Sequence, residues 1–78
     1  MVDGVSMRLG LARSQWRLGE RQVQVLELLA GGATNKEIAV RLARSEVTVE
    51  KHVTESYRRA GARSRTDLVR KLFTLDGV

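Results

Sequence analysis

The tightest constraint on this chain lies between Gly31 and His52, in the run GGATNKEIAVRLARSEVTVEKH. Two helix starts fall inside it, at Thr34 and Ser45, eleven positions apart. Thr34 stands three residues before Glu37, the spacing of a capping box. In that motif the hydroxyl accepts from the N–H of Glu37, and the carboxylate reaches back to the N–H of Thr34. Ile38, Ala39 and Leu42 then supply an inner face, so a short helix is predicted over 35–42. Ser45 is the next N-cap. Val49 and Val53, one turn apart, give the inner face of a longer helix over 46–60. Only Ala43 and Arg44 are left to turn the chain. A helix of about two turns is marginal alone, so the first of the pair must be held by its neighbours.

The flanks supply those neighbours. Val25, Leu26, Leu29 and Ala30 recur at helical spacing, with Leu18 and Val23 adding to the same side. They predict a helix over 20–30, with Glu20 in the first turn where the dipole favours a negative charge. Gly31 and Gly32 stop it, one of them in a left-handed conformation. Arg58 and Arg59 suit the last turns of the 46–60 helix, and Gly61 ends it. Ser64 and Asp67 repeat the capping-box spacing with a shorter acid. Leu68, Val69, Leu72 and Phe73 then line a helix over 65–74. The expected architecture is an all-α, four-helix domain over residues 16–78. Residues 1–15, MVDGVSMRLGLARSQ, sustain no period and are expected to form a flexible arm or linker remnant.

Composition narrows the chemistry. At 78 residues there is one domain with a small core. There is no cysteine and one histidine, which leaves no thiol-based zinc site and no histidine cluster. No Ser-His-acid set, phosphate-binding glycine loop or paired carboxylates can be read, so neither an enzyme nor a cofactor is expected. No apolar run is long enough to cross a bilayer, and no leader segment is visible. A cytoplasmic, nucleoid-associated protein without a membrane partner is expected. The net charge of +5 favours an anionic partner, with nucleic acid ahead of membrane. One Trp, one Tyr and one Phe are too few for the stacking platforms of single-strand and RNA binders.

A short helix, a turn of about three or four residues and a second helix make the sequence form of a helix-turn-helix. In that motif the first helix crosses the DNA backbone. The second presents its N-terminal half to base edges in the major groove. The residues from Leu18 to Val69 resemble the LuxR-type, or GerE-type, DNA-binding domain shared with FixJ- and NarL-like response regulators. LGERQVQVLELLAGG follows that family's opening segment. TNKEIA at 34–39 stands for its Ser-Asn-Lys-Glu-Ile-Ala. SEVTVEKH at 45–52 stands for its Ser-x-x-Thr-Val-Lys-x-His, and GARSRTDL at 61–68 for its Gly-x-x-x-Arg-x-x-Leu. There are departures. Gly19 replaces the usual N-cap Thr, and Glu50 the lysine. Ser56, Ala60 and Ala62 replace bulkier inner aliphatics. Such truncations cost about 2–5 kcal/mol each unless the core is repacked; Trp16, Tyr57 and Phe73 are the candidate fillers.

The resemblance implies a transcriptional regulator that binds double-stranded DNA, with 46–60 as recognition helix. The outer face of that helix carries Glu46, Val47, Glu50, Lys51, Thr54, Glu55 and Arg58. Base contacts are expected from Glu50, Lys51 and Thr54. Lys51 can donate to guanine, and Glu50 can accept from cytosine or simply repel phosphate. Phosphate contacts are expected from Thr34, Asn35, Lys36, Thr48, Arg58 and Arg65, with Lys36 open to the plainer role of a solvated charge. His52 is expected to pack beside the preceding helix. Leu72 and Phe73 are candidate contacts of a homodimer on DNA, or else they close the core. RNA polymerase is a further expected partner. Fifteen residues hold no receiver or ligand-binding domain, so the chain reads as an excised domain or a stand-alone regulator. Two other readings remain: a protein-interaction module that has lost DNA binding, suggested by Glu46, Glu50 and Glu55, and a promoter-reading sigma-factor region.

Overall fold

The computed structural model describes residues 4–75. Residues 1–3 of the expected arm and 76–78 of the expected domain lie outside the described residues. The order is α1 (Gly4–Gln15), α2 (Glu20–Ala30), α3 (Asn35–Leu42), α4 (Glu46–Ala60) and α5 (Arg65–Thr74). No strand occurs among the described residues. The four predicted helices are α2 to α5, with the bounds read from the sequence.

Each helix start has a local cause. The Thr34 hydroxyl accepts from the Glu37 N–H at 3.2 Å, and Glu37 accepts from the Thr34 N–H at 2.9 Å, closing the capping box. The Ser45 hydroxyl accepts from the Thr48 N–H at 3.2 Å. Gly19 offers no side chain to cap α2, but Gln22 Oε1 accepts its N–H at 2.7 Å, so half of a box survives. At α5 the expected box is only half made. Ser64 caps the Asp67 N–H, whereas the short Asp67 carboxylate accepts from the N–H of Arg63, one residue before the cap.

The helix ends share one device. α1, α2, α3 and α4 are followed by a left-handed residue: Arg17 (φ 54°), Gly32 (φ 95°), Ala43 (φ 53°) and Gly61 (φ 70°). The next residue then donates back into the last turn. These bonds are Leu18 to Arg13 O, Ala33 to Leu28 O, Arg44 to Ala39 O and Ala62 to Tyr57 O, at 2.8–3.1 Å. This closure satisfies carbonyls that a helix end leaves orphaned and swings the chain away within a few residues. Two of the four positions are glycine, where a positive φ carries no Cβ penalty.

The core forms where α2, α3, α4 and α5 converge. Val25, Leu26, Leu29, Ile38, Val49, Val53, Leu68 and Leu72 are all buried. Ser56 is buried among them, and its hydroxyl donates to the carbonyl of His52 at 2.9 Å. The polar atom at this inner position is thus satisfied by its own helix. Ala60 and Ala62 are half-buried against the core, as are Trp16 and Tyr57. Phe73 is more exposed than either aromatic.

The arm expected at 1–15 is helical from Gly4 and belongs to the domain. α1 packs on α2 and α5 and buries Leu9 and Ala12 completely enough to join the core. Its stripe is Val5, Leu9, Ala12 and Trp16, a four-three-four spacing. Met7, exposed, and Leu11, half-buried, dilute that stripe, and Ala12 is too small to announce it. The amphipathic period is therefore weak, and the helix owes its place to the apolar sides of α2 and α5 that it covers.

Leu9→Ala is expected to lower unfolding stability by about 2–4 kcal/mol in urea titration, against roughly 0.5 kcal/mol or less for the exposed Met7→Ala. Equal effects would mean that α1 is not docked. Ala43→Gly relieves the left-handed strain of a non-glycine residue and is expected to raise stability by about 1 kcal/mol in the same assay.

Candidate nucleic-acid interface

Three residues, Ala43 to Ser45, separate α3 from α4. The left-handed Ala43 and the Ser45 cap bring the two helices together at once. α4 turns Val49, Val53 and Ser56 inward. Its opposite side carries Val47, Glu50, Lys51 and Thr54, all exposed, at the i, i+3, i+4, i+7 spacing of one stripe. Seven residues at 1.5 Å rise make this stripe about 10 Å long, a match for a major groove about 12 Å wide. Val47, Glu50, Lys51, Thr54 and Glu55 line one shallow depression. The three expected base-contact residues are thus brought together on open surface, with Val47 beside them.

The expected phosphate-contact residues are placed less evenly. Thr34 and Lys36 are exposed at the start of α3, and Asn35 is half-buried. Thr48 is half-buried and its Oγ1 accepts from the Ser45 hydroxyl at 3.0 Å. Arg58 is exposed, and its Nη2 donates to both oxygens of Glu55 at 2.7 Å. Arg59 Nε also donates to Glu55 at 2.7 Å, while its Nη1 donates to the Arg17 carbonyl at 2.8 Å. These bonds, Arg58 first and then Arg59, hold the Glu55 carboxyl below the usual carboxylate range. The pairs are exposed and add little stability. Their consequence is electrostatic: Glu55, one of the three acids counted against DNA binding, is matched by two guanidinium groups.

Arg65 sits differently. It is half-buried at the start of α5, and its Nη1 donates to Asn35 Oδ1 at 3.2 Å. Its Nη2 donates to the carbonyl of Ala33. The guanidinium thus ties α5 to the turn that precedes α3 and fixes the side chain of Asn35. Sequence spacing gave no sign of this bond, which joins residues thirty positions apart.

Leu72 and Phe73 do not form a shared surface. Leu72 is fully buried and closes the core, so it presents nothing to a second copy. Phe73 is partly exposed, with the Arg8 guanidinium of α1 6.0 Å from its ring centroid. His52 is half-buried, which fits its expected packing. Another hollow, of about 610 Å³, lies where α3 meets the end of α2. Val40 and Arg41 line it with Glu27 and Leu28, away from the stripe on α4.

Because Arg65 acts on Asn35, the two should be energetically coupled. Arg65→Gln and Asn35→Ala are each expected to destabilise the fold by about 1–3 kcal/mol. The double variant should fall short of their sum by at least about 0.5 kcal/mol. Strict additivity in urea titration would show that the brace is absent in solution.

Comparison with known proteins places these features in a lineage. A family model described as bacterial regulatory proteins, luxR family, matches residues 17–72, which takes in most of α2 to α5 and leaves α1 ahead of it. The chain is 40% identical over 62 residues to the transcriptional regulatory protein YdfI of Bacillus subtilis (strain 168), covering 80% of this chain and 29% of that protein. It is 46% identical over 50 residues to the response regulator Rre1 of Synechocystis sp. (strain ATCC 27184 / PCC 6803 / Kazusa), covering 64% and 22%. It is 42% identical over 52 residues to the oxygen regulatory protein NreC of Staphylococcus aureus (strain JH9), covering 67% and 24%. The matched segment spans less than a third of each of these relatives. No solved structure matches the chain significantly. A family match over residues 17–72, more than half of the sequence, means that this chain belongs to the luxR family of bacterial regulatory proteins.

Proposed function

We propose that this chain is the double-stranded DNA-binding part of a transcriptional regulator, with α4 as the recognition helix in the major groove. The observation that carries the reading is the open stripe on α4. Glu50, Lys51 and Thr54 face solvent in the N-terminal two-thirds of the helix, and no other part of the described chain seals them. Lys51 donates to guanine O6 or N7, Glu50 accepts from cytosine N4, and Thr54 meets either edge. Thr34 and Lys36 at the start of α3, with Thr48 and Arg58 on α4, take phosphate oxygens, aided by the N–H groups at the starts of α3 and α4. Asn35 and Arg65 act together, since Arg65 fixes the Asn35 side chain by donating to its Oδ1.

Single modules of this kind bind weakly, and a homodimer would span two half-sites. Phe73 is the large apolar residue that α5 leaves exposed for such a contact. RNA polymerase is the partner that a regulator bound beside a promoter would engage. YdfI is named a transcriptional regulatory protein and Rre1 a response regulator, which supports the same role here. A protein of this kind works in the cytoplasm, on the nucleoid.

The test is titration with random and with in vitro selected duplex at several salt concentrations. Binding is expected to weaken steeply with salt, with a log–log slope of about −0.9 per phosphate contacted. Lys36→Gln and Arg58→Gln should each flatten that slope by roughly one unit and leave the selected sequence unchanged. A chain that binds no duplex even at low salt would instead be a protein-interaction module on the same fold.

A further inference from the structure

We propose that Val47 is a specificity residue that reads the 5-methyl group of a thymine. This rests on the reading of α4 as the recognition helix. Val47 occupies the second position of α4 and is 60% exposed, whereas the valines that serve the core, Val49 and Val53, are buried. A β-branched apolar side chain on an exposed helix turn has no packing to gain and adds no helix propensity. Its neighbours on the stripe are all polar: Glu50 at i+3, Lys51 at i+4 and Thr54 at i+7. The same four side chains line one shallow depression, so Val47 borders the surface that Glu50 and Lys51 present.

The chemistry of base edges then limits the choice. In the major groove, guanine and adenine present acceptors and an amino group, and cytosine an amino group. Thymine alone presents an apolar group, the C5-methyl. Val47 against any of the others would strip water from a polar edge without replacing its hydrogen bond. Against thymine it buries methyl on methyl. Glu50 lies three residues on, about 4.5 Å further along the helix axis. The thymine therefore lies within a step or two of the base that Glu50 contacts.

Deoxyuridine pairs as thymidine does but lacks the methyl, so it isolates this contact. The experiment takes the selected duplex and replaces its thymines with deoxyuridine one position at a time. Affinity of the full chain is read by fluorescence anisotropy at fixed salt. One thymine in each half-site is expected to weaken binding by roughly three- to fivefold when its methyl is removed, the worth of one buried methyl. Val47→Ala should lose a similar factor on the thymine duplex and become indifferent to the replacement at that position. Val47→Ile should keep the methyl preference. Because Val47 is exposed, both variants should melt with the parent chain.

Specific binding with no sensitive thymine overturns the proposal and leaves the DNA-binding reading standing. The same holds if the sensitive position stays sensitive in Val47→Ala, since another side chain then meets the methyl. Failure of the parent chain to bind any duplex overturns the functional reading itself, and this inference with it.

Discussion

The left-handed closure at Ala43 is the constraint on which the rest of this structure depends. It ends α3 with a bond from the Arg44 N–H to the Ala39 carbonyl and leaves three residues before α4 begins. A longer connection would let α4 swing. A regular continuation of the helix would merge the two into one rod. The closure does neither, and the Ser45 cap starts the new helix at once. α4 can then bury Val49 and Val53 against α2 and α3 while its other side stays open. The same device at Arg17, Gly32 and Gly61 sets the other three turns. An 8-residue helix such as α3 cannot sustain itself, so it survives because both its ends are fixed and Ile38 is fully buried.

Charge on the molecule is arranged as much as it is accumulated. The net charge of +5 says that an anion is favoured, but it does not say where. Glu37 is committed to its capping box, and bonds from Thr34 hold its carboxyl below the usual range. Asp67 is held low by the Arg63 N–H and by Arg70. Glu55 is matched by Arg58 and Arg59. Three acids are thus occupied in helix starts and ion pairs. Glu50 makes no ion pair among the described residues and stands on the stripe with Lys51, where an acceptor discriminates among bases. Of the three acids that first suggested an adaptor, Glu46, Glu50 and Glu55, local bonding accounts for Glu55.

α1 changes what the small core has to do. The residues matched by the family begin at 17, so this helix precedes the shared domain in sequence while packing into it in space. Leu9 and Ala12 cover α2 and α5, and Leu72 becomes an interior residue. A chain with Ser56 and Ala60 in α4 and Ala62 just after it has less apolar volume at these inner positions to work with. The additional helix adds buried surface against α2 and α5, and the Ser56 hydroxyl is satisfied by its own backbone.

The sequence by itself determined the four helices from Glu20 to Thr74, the N-caps at Thr34, Ser45 and Ser64, and the row on α4. These follow from signals within a few residues of one another: a hydroxyl three residues before an acid, a glycine after the last apolar position, valines one turn apart. It also placed Glu50, Lys51 and Thr54 on one side of a helix, because period alone fixes that. Only the tertiary structure decided that Gly4–Gln15 is a docked helix, since its stripe is diluted by Met7 and Leu11 and becomes apolar burial only against α2 and α5. Only the fold could show that Leu72 faces the core, and that Arg65 reaches back thirty residues to hold Asn35. Local patterns record what a residue does to its own helix. They carry no record of which distant side chain or carbonyl the folded chain will bring beside it.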